Sequence, residues 1–206
     1  MGVYQTNCCV AYDADGSCAV IDPCDLGDKI YSFIKSQGLS LKAVFITHAH
    51  FDHILGLTEL IESAVKDGLC IPVYIYSIDL PAMGDKYKNL SAQMLSCTSF
   101  EYGGELTAVS DGKEISVGKI TFKVMHTPGH TPGSMCLVCE ADGIIFSGDT
   151  LFEGSCGRTD FEGGSDVDMK SSLQRLKALS GDYRIIPGHG PETTLCAERV
   201  RNPYMQ

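Results

Sequence analysis

Apolar and polar positions repeat along this chain with two different periods, and the points where the period changes mark the predicted elements. Val3–Tyr12 and Cys18–Ile21 read as strands on either side of the turn Asp13-Ala14-Asp15-Gly16. Asp28–Gln37 reads as a helix with Ile30, Phe33 and Ile34 on one face, stopped by Gly38. Lys42–Ile46 is a short apolar run of the kind that forms a buried strand. It leads into Thr47-His48-Ala49-His50-Phe51-Asp52-His53. Ile54, Leu57, Leu60, Ile61, Ala64 and Val65 then recur at helical spacing up to Gly68. Ile71–Tyr76 is a further strand, and Ser77–Phe100 an irregular surface excursion near whatever site the chain carries.

The second half repeats the alternation. Glu114–Val117 and Lys119–Met125 form a predicted hairpin about Gly118, and Ser134–Cys139 and Gly143–Ser147 a second about Ala141-Asp142-Gly143. Asp166 is placed to cap a helix carrying Leu173, Leu176 and Leu179. Arg184–Ile186 is the last strand and runs into Pro187-Gly188-His189-Gly190. No linker or low-complexity tract interrupts the 206 residues. The expectation is one domain over 1–206 with layered α/β architecture, helices lying outside packed sheets.

Composition narrows the function classes. Hydrophobic residues at 44% and charged residues at 20% fit a folded protein and argue against disorder. No apolar run approaches the roughly 18–20 residues that span a bilayer. Met1 to Asn7 lack a basic stretch followed by an apolar one, so a cytoplasmic location is expected. The net charge is −10 and no basic stripe is visible, which argues against nucleic acid as a partner. The ten cysteines are expected to be reduced and mostly buried, behaving as small hydrophobes. Cys136 and Cys139 have C-x-x-C spacing, but within a strand they point to opposite faces and cannot share a metal.

The candidate chemistry is concentrated. All six histidines lie in or beside three short loops, each after a predicted strand: His48, His50 and His53; His126 and His130; and His189. Ser147-Gly148-Asp149-Thr150 presents an acid in the same way. Loops on a rigid sheet are a favoured place for catalytic groups. In an extended segment His48 and His50 point the same way and can reach one ion. Asp52 and His53, displaced at the turn into a helix, can reach another. Imidazole and carboxylate suit zinc, and they suit iron and manganese too. Four ligands in one loop could serve a single ion; a second needs His130, Asp149 and His189. Alone, an Asp after Ser-Gly is as well explained as a helix cap, and a His before Thr-Pro-Gly as a turn residue. Together at strand ends they read as ligands, with the two oxygens of Asp149 suited to bridge.

The series Thr47-His48-Ala49-His50-Phe51-Asp52-His53, His126-Thr127-Pro128-Gly129-His130-Thr131-Pro132-Gly133-Ser134, Ser147-Gly148-Asp149-Thr150-Leu151-Phe152 and Pro187-Gly188-His189-Gly190 resembles the metallo-β-lactamase superfamily. Its phrasing is similar to the glyoxalase II (hydroxyacylglutathione hydrolase) branch, from about Asn7 to His189. The resemblance implies a four-layer αββα sandwich with two divalent metal ions, zinc first and iron or manganese next, at one edge. Carried over, His48, His50 and His130 hold one ion, Asp52, His53 and His189 the other, and Asp149 bridges. His126 falls on no ligand position and is expected to support the site or the fold. Arg158 sits where glyoxalase II has a basic residue that meets glutathione, although a surface pair with Asp160 explains it equally well. Glyoxalase II proper carries a further helical region after the last His motif, whereas this sequence ends 17 residues after His189. A short form with fewer glutathione contacts is therefore expected.

These residues imply a mechanism. Two divalent ions set against Asp52, Asp149 and a hydroxide leave about one net positive charge, which suits a small anionic thioester or ester. Hydroxide at the metal centre attacks the carbonyl, and Asp52 orients it as well as binding metal. The segment Gly157-Arg158-Thr159-Asp160-Phe161 is also similar to persulfide dioxygenases. That makes an iron-dependent, mononuclear oxygenase the main rival, and a non-catalytic metal-binding module the third reading. The missing export signal argues against a secreted β-lactamase. The charge argues against RNA processing, and His50, where flavodiiron proteins carry Glu, against that redox class.

Overall fold

A computed structural model of the chain describes residues 2, 4–95 and 99–206. Five strands form the first sheet in sequence order: β1 (Cys9–Tyr12), β2 (Ser17–Ile21), β3 (Ser40–Ile46), β4 (Val73–Tyr76) and β5 (Thr107–Val109). β1 runs antiparallel to β2, and the others are parallel. The second sheet contains β6 (Glu114–Val117), β7 (Ile120–His126), β8 (Met135–Cys139) and β9 (Ile144–Gly148). A small hairpin of β10 (Leu151–Phe152) and β11 (Ser155–Cys156) follows. β12 (Arg184–Pro187) then returns parallel to β9, and β13 (Thr193–Thr194) closes the order β13-β12-β9-β8-β7-β6. Three longer helices cover the sheets: α1 (Gly27–Ser36) and, after the single turn α2 (Phe51–Ile54), α3 (Leu57–Lys66) in the first half. Two further turns, α4 (Leu80–Met83) and α5 (Ser91–Met94), precede α6 (Asp166–Lys177) and the short α7 (Leu195–Arg201). No helix among the described residues is long and apolar enough to cross a membrane.

Strand alternation builds three apolar layers, hence the four-layer αββα sandwich. Val20, Val44, Ile46 and Ile75 face outward against Ile30 and Ile34 of α1 and Leu57, Leu60 and Ala64 of α3. Ala19, Ile21, Ala43 and Phe45 face inward and meet Phe122, Val124, Leu137 and Phe146 of the second sheet. Cys136, Val138, Ile145 and Ile185 pack outward on Met169, Leu173 and Leu176 of α6. Cys136 and Cys139 accordingly belong to different layers, since a strand's side chains change face at every residue. Of the nine described cysteines, all unbridged, four are buried, three are intermediate, and Cys70 and Cys196 are exposed. Cys97 lies outside the described residues.

Several expectations shift. Phe33 is 51% exposed. The buried stripe of α1 is Gly27, Ile30, Tyr31 and Ile34, and at about 100° per residue Phe33 stands roughly 110° from its centre. The first strand begins at Cys9 rather than Val3, which lies outside the described residues. Thr6 instead forms an isolated bridge to His189. Ser165, not Asp166, caps α6 by accepting from the Asp168 N–H, and Leu179 lies beyond the helix end. The 77–100 excursion contains two helical turns and, at Met83, Asn89 and Ser91, buried side chains; residues 96–98 of it lie outside the described residues.

α1 and α3 approach so closely that a Cβ on Gly27 would lie 1.9 Å from the Gly56 carbonyl oxygen and 2.5 Å from the Leu60 nitrogen. Backbone cannot yield cheaply there. Gly27→Ala is expected to cost about 1–3 kcal/mol through overpacking, read as a lower urea midpoint. An unchanged midpoint would show that the two helices separate freely.

Candidate metal centre

The strands place their C-terminal ends at one rim of the sandwich, and the polar loops follow. β3 delivers His48 and His50, and α2 delivers Asp52 and His53. β7 leads to His130, β9 to Asp149 and β12 to His189. His48, His50 and His130 each present one ligand atom within 4.8 Å of the others. His48, His53 and Asp149 do so too, as do Asp52, His53 and His189. His50 Nδ1 and His130 Nε2 are 2.9 Å apart. Asp149 stands between the groups: Oδ1 is 3.5 Å from His53 Nε2, and Oδ2 is 3.5 Å from His130 Nε2 and 3.6 Å from His189 Nε2. Such crowding needs room. A Cβ on Gly188 would lie 2.1 Å from Asp149 Oδ1 and 2.7 Å from the His53 ring, so only glycine lets β12 pass there.

Four of the five rings are tied at the far nitrogen, that of His48 through the Thr47 hydroxyl 3.2 Å from Nδ1. His53 Nδ1 is 2.8 Å from Asp22 Oδ2, whose carboxylate also accepts from the Thr47 N–H and hydroxyl at 2.8 and 2.7 Å. His130 Nδ1 is 2.7 Å from the Arg158 carbonyl oxygen, and His189 Nδ1 is 3.1 Å from that of Tyr4. Thr6 donates to Asp52 Oδ2. Asp79 accepts from the Ala49 and Gly133 N–H groups and the Thr131 hydroxyl, binding the two histidine loops together. A metal-ligating imidazole characteristically has its other nitrogen held by a carboxylate or carbonyl in this way. Sequence reasoning missed Asp22, Tyr4, Thr6 and Asp79. Asp22 carried a usable signal, since it is an acid directly after the buried strand Cys18–Ile21.

Electrostatics divide the rings. Burial first, and the neighbouring imidazoles second, hold His48 well below the usual imidazole range and push His50 down to about 3, so both stay neutral with lone pairs available. Burial opposes a proton on His53, but Asp22 and Asp149 outweigh it and raise its pKa. Burial also opposes ionisation of Asp52 and Asp149. His189 and His53 overcome it for Asp52, and His53 does so for Asp149, leaving both below the usual carboxylate range. His48 Nε2, His53 Nε2 and Asp149 Oδ1 are buried without a hydrogen-bond partner. An unmade bond on such an atom costs about 1–3 kcal/mol. Three such donors in one pocket fit bound cations, to which they would turn their lone pairs.

His126 stands apart. Its ring stacks on Tyr76 at 4.0 Å, and Nε2 is 2.8 Å from the Pro132 carbonyl oxygen, bracing the loop that carries His130. Arg158 lies at the mouth of the centre with its guanidinium on both oxygens of Asp160, at 2.6 and 2.7 Å.

Residues 1–189 match the family described as the Metallo-beta-lactamase superfamily. The chain belongs to that superfamily. Within it, the chain is 34% identical to the Probable metallo-hydrolase YqgX of Bacillus subtilis (strain 168), over 93% of this chain and 89% of that protein. It is 28% identical to the Hydroxyacylglutathione hydrolase GloC of Haemophilus influenzae (strain ATCC 51907 / DSM 11121 / KW20 / Rd), over 98% and 93%. The BLEG-1 B3 metallo-beta-lactamase superposes with a TM-score of 0.90 at 32% identity, covering 100% of this chain and 96% of that one. TTHA1623 in a di-iron-bound form gives 0.85 at 34%, covering 99% and 97%. The metallo-β-lactamase fold and a His/Asp cluster able to hold metal are therefore features of this chain.

Asp22→Asn keeps the shape of the side chain that aims His53 and removes its charge. It is expected to weaken metal binding about 10–100-fold, measured by competition with a chromophoric chelator. Unchanged affinity would remove Asp22 from the site.

Proposed function

We propose that this metallo-β-lactamase-fold chain is a dinuclear metallohydrolase of small thioesters. The observation that carries the reading is the pair of donor groups meeting at Asp149, with three buried donors otherwise unpartnered. His48, His50 and His130 would hold one divalent ion and Asp52, His53 and His189 the other, with Asp149 shared. When bound, such ions acidify water to near neutrality and polarise a carbonyl. Zinc suits these ligands, and the di-iron form of TTHA1623 makes iron the first alternative to test.

The protein's own groups do the rest. Asp52, kept ionised at the rim and held by Thr6, accepts a hydrogen bond from the attacking water and aligns it on the carbonyl carbon. Burial keeps His48 and His50 neutral, with lone pairs available to a metal. A thiol leaving group, with a pKa near about 8.5, departs with little help from an acid. This suits a mouth whose described lining, beyond the metal donors, has no further histidine or carboxylic acid. The likeness to GloC supports S-2-hydroxyacyl thioesters as the first substrates to assay. Arg158 at the mouth is the residue proposed to touch the substrate. A mononuclear oxygenase would employ one donor group and leave the second without a role.

Protein purified without chelator is expected to hold close to two metal ions per chain by elemental analysis. It should release thiol from acyl thioesters at neutral pH, with His48→Ala as the blank. A firm limit of one ion, with oxygen uptake on a persulfide and no thiol release, would overturn the proposal. Asp149→Ala is expected to lower kcat/KM by about 1000-fold or more and to loosen both ions. His126→Ala, away from the donors, should cost less than about tenfold. Equal metal loss from both variants would show that His126 belongs to the centre.

A further inference from the structure

The mouth of the centre is a cavity of about 400 Å³, within the usual range for a small-molecule site. Beyond the donors themselves, its wall is largely apolar: Tyr4, Phe51, Leu90, Met94, Phe152 and Phe161. The wall is assembled from distant pieces. Tyr4 packs edge-on against Phe51 with ring centres 4.9 Å apart, and Tyr4 Oη donates to the Met94 carbonyl oxygen. The Phe51 N–H is bound by the Asn89 carbonyl oxygen, which ties the 77–100 excursion to the histidine loop. Leu90 sits at φ 67°, a left-handed conformation uncommon for a non-glycine residue, with its side chain at the mouth.

Charge at the mouth is already satisfied. Arg158 is the sole Lys or Arg among its described lining residues. Its guanidinium makes two bonds to Asp160 and lies 4.1 Å over the Phe161 ring. A substrate carboxylate arriving there meets a solvent-exposed cation already paired with Asp160 through Nε and Nη2, and gains little. Burial pushes the Cys156 thiol up, so this wall residue stays protonated and uncharged. Lys88 lines a separate cavity of about 230 Å³ that shares His50 with the mouth.

We propose that the substrate carries an uncharged, apolar arm that fills this mouth, and that the apolar wall rather than Arg158's charge sets substrate choice. The proposal rests on the thioesterase reading for its chemistry and names the substrate class within it.

Two series of thioesters test it on metal-loaded enzyme. One lengthens the acyl group over a fixed uncharged thiol, and the other lengthens an uncharged thiol over a fixed acetyl group. In at least one, kcat/KM should rise about fourfold per methylene until the mouth is filled. A succinyl thioester should fall at least tenfold below its butyryl counterpart. Leu90→Asn, a residue that tolerates the left-handed backbone, and Phe152→Ser should each flatten the rise. Neither series rising, the succinyl ester winning, or a slope unchanged in both variants would overturn the proposal; a succinyl preference would point to Lys88 instead. The same chain-length order is expected for uncleavable thioether analogues binding the metal-free protein, read by calorimetry. If every thioester is inert yet the thioethers bind in that order, the hydrolase reading fails and the apolar mouth stands. If the thioethers show no such order, the mouth proposal fails.

Discussion

An imidazole aimed at a metal characteristically has its other nitrogen held by a neighbour, and four of the five rings of this site are placed by that constraint. Asp22 shows how far the demand reaches. One carboxylate closes the end of β2, accepts both the N–H and the hydroxyl of Thr47 at the end of β3, and still faces His53 Nδ1 at 2.8 Å. A buried carboxylate survives only when so fully engaged. Its bonds simultaneously lock two parallel strand ends and turn one ring inward. His130 and His189 are turned by carbonyl oxygens supplied by Arg158 and Tyr4. The structural ties and the chemical ones are the same bonds.

The sandwich supplies what those bonds require. Its parallel strands end together at one rim, so loops far apart in sequence emerge within a few ångströms of each other. The three apolar layers fix the strands that carry the donors. Gly188 is part of this fit, because any side chain there would strike Asp149 and His53. Crowding also separates the rings electrostatically. Those surrounded by other imidazoles remain neutral, while those beside carboxylates attract protons. Both outcomes favour a cation, which relieves the carboxylates and uses the free lone pairs.

Family likeness and geometry contribute different parts of the functional reading. Membership in the metallo-β-lactamase superfamily accounts for the donor cluster and the layered sheets, features compatible with several chemistries. The mouth is the part of the site that the proposed substrate choice rests on: there Arg158 is engaged by Asp160 and the wall is made largely of aromatic and aliphatic side chains. The backbone carbonyl of Arg158 has a clear task, aiming His130, that is independent of its charged side chain.

The sequence by itself determined the donor types, their clustering and the strands that carry them. His48, His50, Asp52 and His53 lie within six residues, so their relation is local, and Lys42–Ile46 and Met135–Cys139 carry their burial in their composition. Helix ends at Gly38 and Gly68 were legible for the same reason. Phe33 was not, because a helix face is settled only by what packs against it. β5, the hairpin of β10 and β11, and β13 were illegible because strands of two or three residues hold no period and exist only through their partners. Tertiary structure alone decided that Asp22 meets His53, that Tyr4 and Arg158 offer carbonyls to His189 and His130, and that Leu90 joins Phe152 at the mouth. Those residues are separated by 28 to 185 positions. No local pattern encodes such contacts; they arise when the two sheets pack and bring their strand ends to a common rim.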